Sequence, residues 1–492
     1  MKNQPITNPE TLKTPSLLLS VIPVAFMLTA LIAIMVFMGS DAVSSYSHLI
    51  LLSAAALSVG LSAAAGTLRF SELKTGLRRS SAQTLPAVPL LLLIAMIAAT
   101  WLLSGVVPTL IDFGLRLLNP TLFLAITCAV CATVSVLTGS SWSTIATIGV
   151  AFIGIGRIMG YNEGWIAGAI ISGAYFGDKV SPLSDTTVIA SSSCGVDLFD
   201  HIRHLMITSI PAFTLALVVF GVVGLFSSPA PVAGEESEIL TALHTTFNIT
   251  PWTLVIPLVV FTLIALRVKT IYSLAVSTLL GIAGIFVFQP GMLQAASGIE
   301  VSGFAGTVRA VLAILWTDTA IATGNENLDQ LVTTGGITGM LPTVNLVLCA
   351  MLFGAAMLGT GMLRVIAAAF TRRLRRRTSI VGATVGSGLF LNACTADQYL
   401  SIIIGGNMYR DVYSRYSLQP RLLSRTLEDS VSATSVLIPW NSCGVTQSTV
   451  LGVATLTYLP FCIFNIASPI MTLIMAWTGF KVAPGKVRKV AS

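Results

Sequence analysis

Across its 492 residues the chain is 54% hydrophobic and only 10% charged, with a mean hydropathy of +0.87, whereas an ordinary soluble protein is about 25% charged. This excludes a soluble enzyme and predicts an all-α polytopic membrane protein, read as one transmembrane domain over 1–492 because no polar stretch is long enough to fold alone. The net charge of +7 comes from Lys and Arg in short loops between apolar runs, not from a basic face interleaved with aromatics, so it reports orientation in the lipid bilayer and no nucleic-acid partner.

Runs of about 20 apolar residues mark membrane spans, here near 17–38, 48–66, 87–108, 120–138, 142–159, 164–180, 205–226, 251–267, 271–289 and 341–362. The first, from Leu17, is longer than a signal-peptide core and lacks a small-residue cleavage site, so it stays as a span. Cys128-x-x-Cys131 falls inside 120–138 without a second cysteine pair or histidines nearby and reads as packing; the seven cysteines imply no disulfide framework. Shorter or broken segments follow near 379–392, 395–407, 427–442 and 456–478. The count is fourteen crossings, and twelve with re-entrant hairpins satisfy the same charges.

Loop charge sets orientation. Arg69, Lys74, Arg78 and Arg79, then Arg267 and Lys269, then Arg364 with Arg372, Arg373, Arg375, Arg376 and Arg377, then the Lys481–Lys489 tail are all cytoplasmic if the N-terminus is inside. Glu235, Glu236, Glu238 and the segment Gly291–Met340 then fall outside.

The most polar stretch inside the apolar runs is Tyr175-Phe-Gly-Asp-Lys-Val-Ser-Pro-Leu-Ser-Asp-Thr-Thr187. Intramembrane charge is costly and normally faces a bundle interior or wet cavity, so Asp178 and Asp185 read as functional. Pro182 removes one N–H and biases Ser181 away from helical torsions, which frees carbonyls as ligands. Hard cations such as Na⁺ take carboxylate, hydroxyl and carbonyl oxygens. A second region, Leu391-Asn-Ala-Cys-Thr-Ala-Asp397 followed by Leu427-Glu-Asp-Ser430 and Ser432, resembles the first, with Asp178 opposite Asp429, Ser181 opposite Ser432 and Pro439 as its own break. The charge-derived topology runs the two regions, near 120–226 and 379–478, in opposite directions, as in inverted transporter repeats with broken or re-entrant helices.

Candidate ion and proton ligands are therefore Asp178, Ser181, Asp185, Thr186, Thr395, Asp397, Glu428, Asp429 and Ser432, with Na⁺ on Asp178, Asp185 and Asp429. Lys179, Asn441 and Ser140 modulate the site. The plainer reading is that these groups cap half-helices or form a buried salt bridge such as Lys179 with Glu428. His201 and His204 read as an interfacial loop, and Glu163 and Asp318 as solvated. No nucleophile–base pair or metal-ligand spacing supports an enzyme.

Gly173-Ala-Tyr-Phe-Gly-Asp-Lys-Val-Ser-Pro-Leu-Ser-Asp-Thr-Thr187 and Asp197-Leu-Phe-Asp-His-Ile-Arg-His204 resemble the signature of the NhaC-type Na⁺/H⁺ antiporter family, within the ion-transporter superfamily. Asn392-Ala-Cys-Thr-Ala-Asp-Gln398, Gly405-Gly-Asn-Met-Tyr-Arg410, Leu427-Glu-Asp-Ser430 and Ile438-Pro-Trp-Asn-Ser-Cys-Gly444 resemble its C-terminal motifs. The resemblance covers roughly residues 130–470. It implies a secondary antiporter of the bacterial inner membrane, both termini cytoplasmic, exchanging Na⁺ and possible Li⁺ for H⁺ in sodium extrusion and pH homeostasis. It also implies a homodimer and no cofactor beyond the transported ions. A Na⁺/H⁺-coupled organic-anion exchanger, such as a malate/lactate antiporter, is the alternative within the same family.

Overall fold

The computed structural model describes residues 14–38, 40–226, 235–325, 328–329, 332–371, 374 and 376–480. Arg372, Arg373, Arg375, the Lys481–Lys489 tail and the side chains of Glu235 and Glu236 lie outside the described part. The described residues are mostly helical. Among the described residues the strands are Thr319–Ala320 and Thr333–Thr334, paired antiparallel. Beside them the Thr323 N–H and hydroxyl both donate to Asp329 Oδ1 at 2.6 Å and hold its carboxyl below the usual range.

Among the described residues eight helices are long and apolar enough to cross a bilayer. The count is ten if Ser237–Thr246 with Pro251–Ala265, bent by 82°, and Thr455–Phe461 with Ile463–Thr478, bent by 55°, are one span each. This is fewer than the sequence suggests, for a physical reason. Glu163–Val180, Arg377–Thr395 and Gln398–Arg415 reach span length but are rich in Gly, Ser, Thr or charge and pack against protein, where lipid-like composition is not needed. The stretch near 427–442 is not a continuous helix: it is a π turn, Glu428–Ser432, a 3-10 turn, Ser435–Leu437, and then extended backbone at Ile438 and Asn441.

Two stretches, 135–195 and 392–452, repeat the same local structure. Gly139 and Ala396, left-handed at φ 67° and 53°, end the helices Phe123–Thr138 and Arg377–Thr395. Ser140 and Asp397 then cap Ser141–Ile158 and Gln398–Arg415. Asn162 and Gln419 precede Glu163–Val180 and Pro420–Leu427, while Ser184 and Asn441 precede Asp185–Cys194 and Ser442–Leu451. In every pair the second residue lies 257 positions after the first. Side-chain bonds keep that spacing: Ser135 Oγ donates to the Ala174 carbonyl at 2.6 Å, and Asn392 Nδ2 to the Val431 carbonyl at 2.7 Å. The expected pairing of Asp178 with Asp429 and Ser181 with Ser432 is therefore corrected. It matched letters, whereas the caps that the backbone must satisfy fix the register, and they set Asp178 against Ser435, Ser181 against Ile438 and Pro182 against Pro439.

Close helix contact builds the first half. A Cβ at Gly173 would stand 2.1 Å from the Cys128 carbonyl oxygen, so only hydrogen lets Glu163–Val180 approach Phe123–Thr138 this closely. Cys128 and Cys131 are buried free thiols in that contact.

A buried ion pair joins the halves. Lys179 Nζ donates to Asp429 Oδ1 and, at 2.5 Å, to Ser468 Oγ, with the lysine and aspartate side chains 2% and 0% exposed. Asp429 also accepts from Ser468 Oγ at 2.9 Å, Thr208 Oγ1 at 2.9 Å and Thr472 Oγ1. The lysine partner is thus Asp429, not Glu428. The clasp ties Glu163–Val180 to the Glu428–Ser432 turn, Leu198–Phe226 and Ile463–Thr478.

Lys179→Met alone is expected to cost about 3–5 kcal/mol, since it strands a buried carboxylate, and adding Asp429→Asn should recover most of the loss. Melting of the purified protein in detergent checks this; a single variant that melts like the parent refutes the clasp. Gly173→Ala should cost about 1–3 kcal/mol by overpacking, while Gly221→Ala, with open space around its Cβ, should change little.

Candidate functional site

The first break runs from Ser181 to Ser184. Ser181 Oγ donates to the Val136 carbonyl at 2.8 Å and accepts from the Leu183 N–H at 3.2 Å, so it repairs backbone that Pro182 leaves open. Thr186 shares a 2.9 Å hydrogen bond with Ser184, and Thr187 Oγ1 donates to the freed Lys179 carbonyl at 3.0 Å. Asp178, half-buried in the last turn before the break, accepts from Ser141 Oγ at 2.7 Å. Asp185 opens the following helix and is exposed.

In the second half several predicted ligands are committed to caps. Asp397 Oδ1 accepts from the Leu400 N–H at 2.8 Å, and Thr395 Oγ1 donates to the Asp397 carbonyl at 2.9 Å. Ser140 does the same in the first half, accepting from the Ser143 N–H at 3.2 Å. Asn441 Oδ1 accepts from the Cys443 N–H at 3.1 Å, its Nδ2 donates to the Asn392 carbonyl at 3.2 Å, and the Ser442 N–H donates to the Ala396 carbonyl at 2.9 Å. The two second-half breaks are thereby stitched together.

What remains is an excess of acceptors around the unwound stretch after Leu427. Both Glu428 carboxylate oxygens, Ser432 Oγ, Asn392 Oδ1 and Asn465 Oδ1 are buried and have no hydrogen-bond partner. Ser432 is the hydroxyl beside the Glu428 carboxyl, and Asp178 and the Lys179–Asp429 pair lie within electrostatic reach of it. Tyr399 lies within reach of Asp185, Asp178 and Asp397. Asp178 is thus within electrostatic reach of Asp185 on its own half and of Glu428 on the other, with Ser141 bonded to it and Tyr399 near both first-half carboxylates. The structure does not bring together the expected Na⁺ trio: Asp429 is filled by Lys179 and three hydroxyls, and among the described residues no three His, Cys, Asp or Glu side chains converge as a metal group. A cation here would rest on one or two carboxylates with hydroxyl, amide and carbonyl oxygens.

Sequence reading missed Thr208, Ser468, Thr472 and Asn465. The signal was available, because Asn465, Ser468 and Thr472 form a polar stripe at spacings of three and four on the otherwise apolar helix Ile463–Thr478. His201 and His204, expected in an interfacial loop, are buried in the first turns of Leu198–Phe226, where they face Pro420–Leu427. Glu163 pairs with Arg157 at 2.8 Å. A cavity of 300 Å³, lined in part by Pro439, Val445, Ser448 and Thr449, opens beside the second proline break.

Known proteins agree with a transporter of this kind. The Na(+)/H(+) antiporter NhaC of Alkalihalophilus pseudofirmus is 37% identical over 82% of this chain and 84% of its own. The malate-2H(+)/Na(+)-lactate antiporter of Bacillus subtilis is 34% identical over 83% of this chain and 85% of its own. The arginine/ornithine antiporter ArcD of Halobacterium salinarum is 33% identical over 96% of this chain and 93% of its own. All three relatives are antiporters and not enzymes. The Na⁺/H⁺ antiporter family matches residues 6–192 and again 173–480, so this multi-pass membrane protein belongs to the Na⁺/H⁺ antiporter family.

Proposed function

We propose that the chain exchanges Na⁺ for H⁺ by alternating access, with the ion held between the Pro182 break and the unwound Glu428–Ser432 turn. One observation supports this: Asp178 and the buried Glu428, from different halves of the chain, lie within electrostatic reach of each other, with Ser141 bonded to Asp178 and Ser432 beside Glu428. A carboxylate that takes Na⁺ must first release its proton and regain it afterwards, so the same oxygens couple the two fluxes. Asp185, exposed next to Asp178, is the entry ligand. Lys179 and Asp429 hold the two helices and do not bind the ion.

The proposal needs no resident cofactor, since Na⁺ and H⁺ are cargo. Residence in a bacterial inner membrane with both termini cytoplasmic rests on loop charge and on the bacterial relatives; a homodimer rests on the family resemblance. The names of the malate/lactate and arginine/ornithine relatives favour a second reading, in which an organic ion accompanies or replaces the exchange.

Proteoliposomes with an internal pH dye decide between them. Na⁺ alone should move protons, and Li⁺ should substitute; a proton flux that appears only with malate, lactate, arginine or ornithine would establish the second reading. Asp178→Asn and Glu428→Gln should each abolish exchange while Asp397→Ser, which keeps a capping oxygen, should retain most of it. Exchange that survives in Glu428→Gln removes Glu428 from the site.

Because Na⁺ and protons compete for the same carboxylates, raising pH empties the site of protons and should tighten apparent Na⁺ affinity, by at most about tenfold per pH unit for each proton displaced. An affinity that stays constant with pH means that the two ions use different groups.

A further inference from the structure

Arg425 is fully buried, and its Nε and both terminal nitrogens have no hydrogen-bond partner. A guanidinium keeps its charge in any protein environment, and an unpaired buried charge costs several kcal/mol. Its surroundings add to the positive field. His204, from the facing helix Leu198–Phe226, lies within electrostatic reach of Arg425, Arg421 and His201, with Asp429 as the one opposing charge acting on it. His201 Nδ1 shares a 2.8 Å hydrogen bond with Ser424 Oγ, and the Nε2 atoms of both buried histidines have no partner. Arg425 sits in the last turn of Pro420–Leu427, and His201 and His204 come from the first two turns of Leu198–Phe226, whose leading N–H groups are capped by Asp197.

The groups that could neutralise Arg425 are already engaged. Asp429, the carboxylate in reach of it, is filled by Lys179, Thr208, Ser468 and Thr472. Tyr413, packed from Gln398–Arg415, shares its hydroxyl with Thr384 at 3.1 Å. A buried fixed cation with three open nitrogens and two imidazoles with an open nitrogen each form a nest of the opposite sign to the acceptor-rich stretch after Leu427.

We infer that Arg425, His201 and His204 form an occluded binding site for a small anion, a halide or a carboxylate, separate from the Asp178–Glu428 cation site. The guanidinium fork suits either a halide or the two oxygens of a carboxylate. The inference does not depend on which cation the protein exchanges.

The test is the melting midpoint of the purified full-length protein in detergent, at constant Na⁺ and ionic strength, in the sodium salt of a bulky sulfonate buffer exchanged stepwise for chloride in one arm and acetate in the other. The site predicts a saturable rise of at least about 2 °C in at least one arm, since a ligand that binds only the folded state stabilises it; the responding arm identifies the source. Arg425→Gln should abolish the rise, Arg425→Lys should raise the half-saturating concentration at least about tenfold, and Asp178→Asn should leave it in place. A flat response in both arms of the parent protein, or an unchanged response in Arg425→Gln or His204→Phe, overturns the site. The parent protein alone decides if Arg425→Gln does not fold, and because Na⁺ is constant, a failed exchange assay leaves this result intact.

Discussion

A helix interrupted inside hydrocarbon frees backbone donors and acceptors where there is no water to receive them, and the rest of this structure follows from how those groups are satisfied. Ser140, Ser181, Asp397 and Asn441 each spend side-chain oxygens on backbone N–H groups at the breaks. Polar residues at a break are therefore not automatically ion ligands. A ligand has to be what is left once the backbone is served, and on that criterion Glu428, Ser432, Asn392 and Asn465 stand out from the better-bonded residues around them.

The two acidic pairs of neighbours divide their work by helix geometry. Successive residues on a helix point about 100° apart, so Asp178 and Lys179 face different partners, as do Glu428 and Asp429. Lys179 and Asp429 meet each other and lock their helices together; Asp178 and Glu428 lie within electrostatic reach of each other outside that pair. The clasp thus engages Lys179 with Asp429 and leaves that lysine without a claim on the carboxylates proposed to bind a cation.

Spans and break points were legible because hydrophobic runs and Pro182 and Pro439 act locally. The orientation of neighbours was not. Whether Lys179 meets Glu428 or Asp429 depends on a partner some 250 positions away in sequence and on a π turn, Glu428–Ser432, that shifts helix phase. The register of the repeat failed for a related reason: an Asp-x-x-Ser match is a coincidence of letters, whereas Gly139 with Ala396 and Ser140 with Asp397 share a backbone role while differing in identity. His201 and His204 were misplaced because their polar neighbours resemble a loop, although both rings point into the protein.

The scaffold repeats, but its chemistry does not. The Ser141 hydroxyl donates to Asp178, and at the equivalent positions Ser435 donates to Gln398 Oε1 at 3.2 Å, so the twin of the charged contact is neutral. Glu428 and Asp429 correspond to Ile171 and Ser172, and Lys179 to Val436. The two halves share their backbone breaks and caps, yet Glu428, Asp429 and Lys179 have uncharged counterparts at the matching positions. Under the proposed alternating access, one set of carboxylates between matched scaffolds serves both openings.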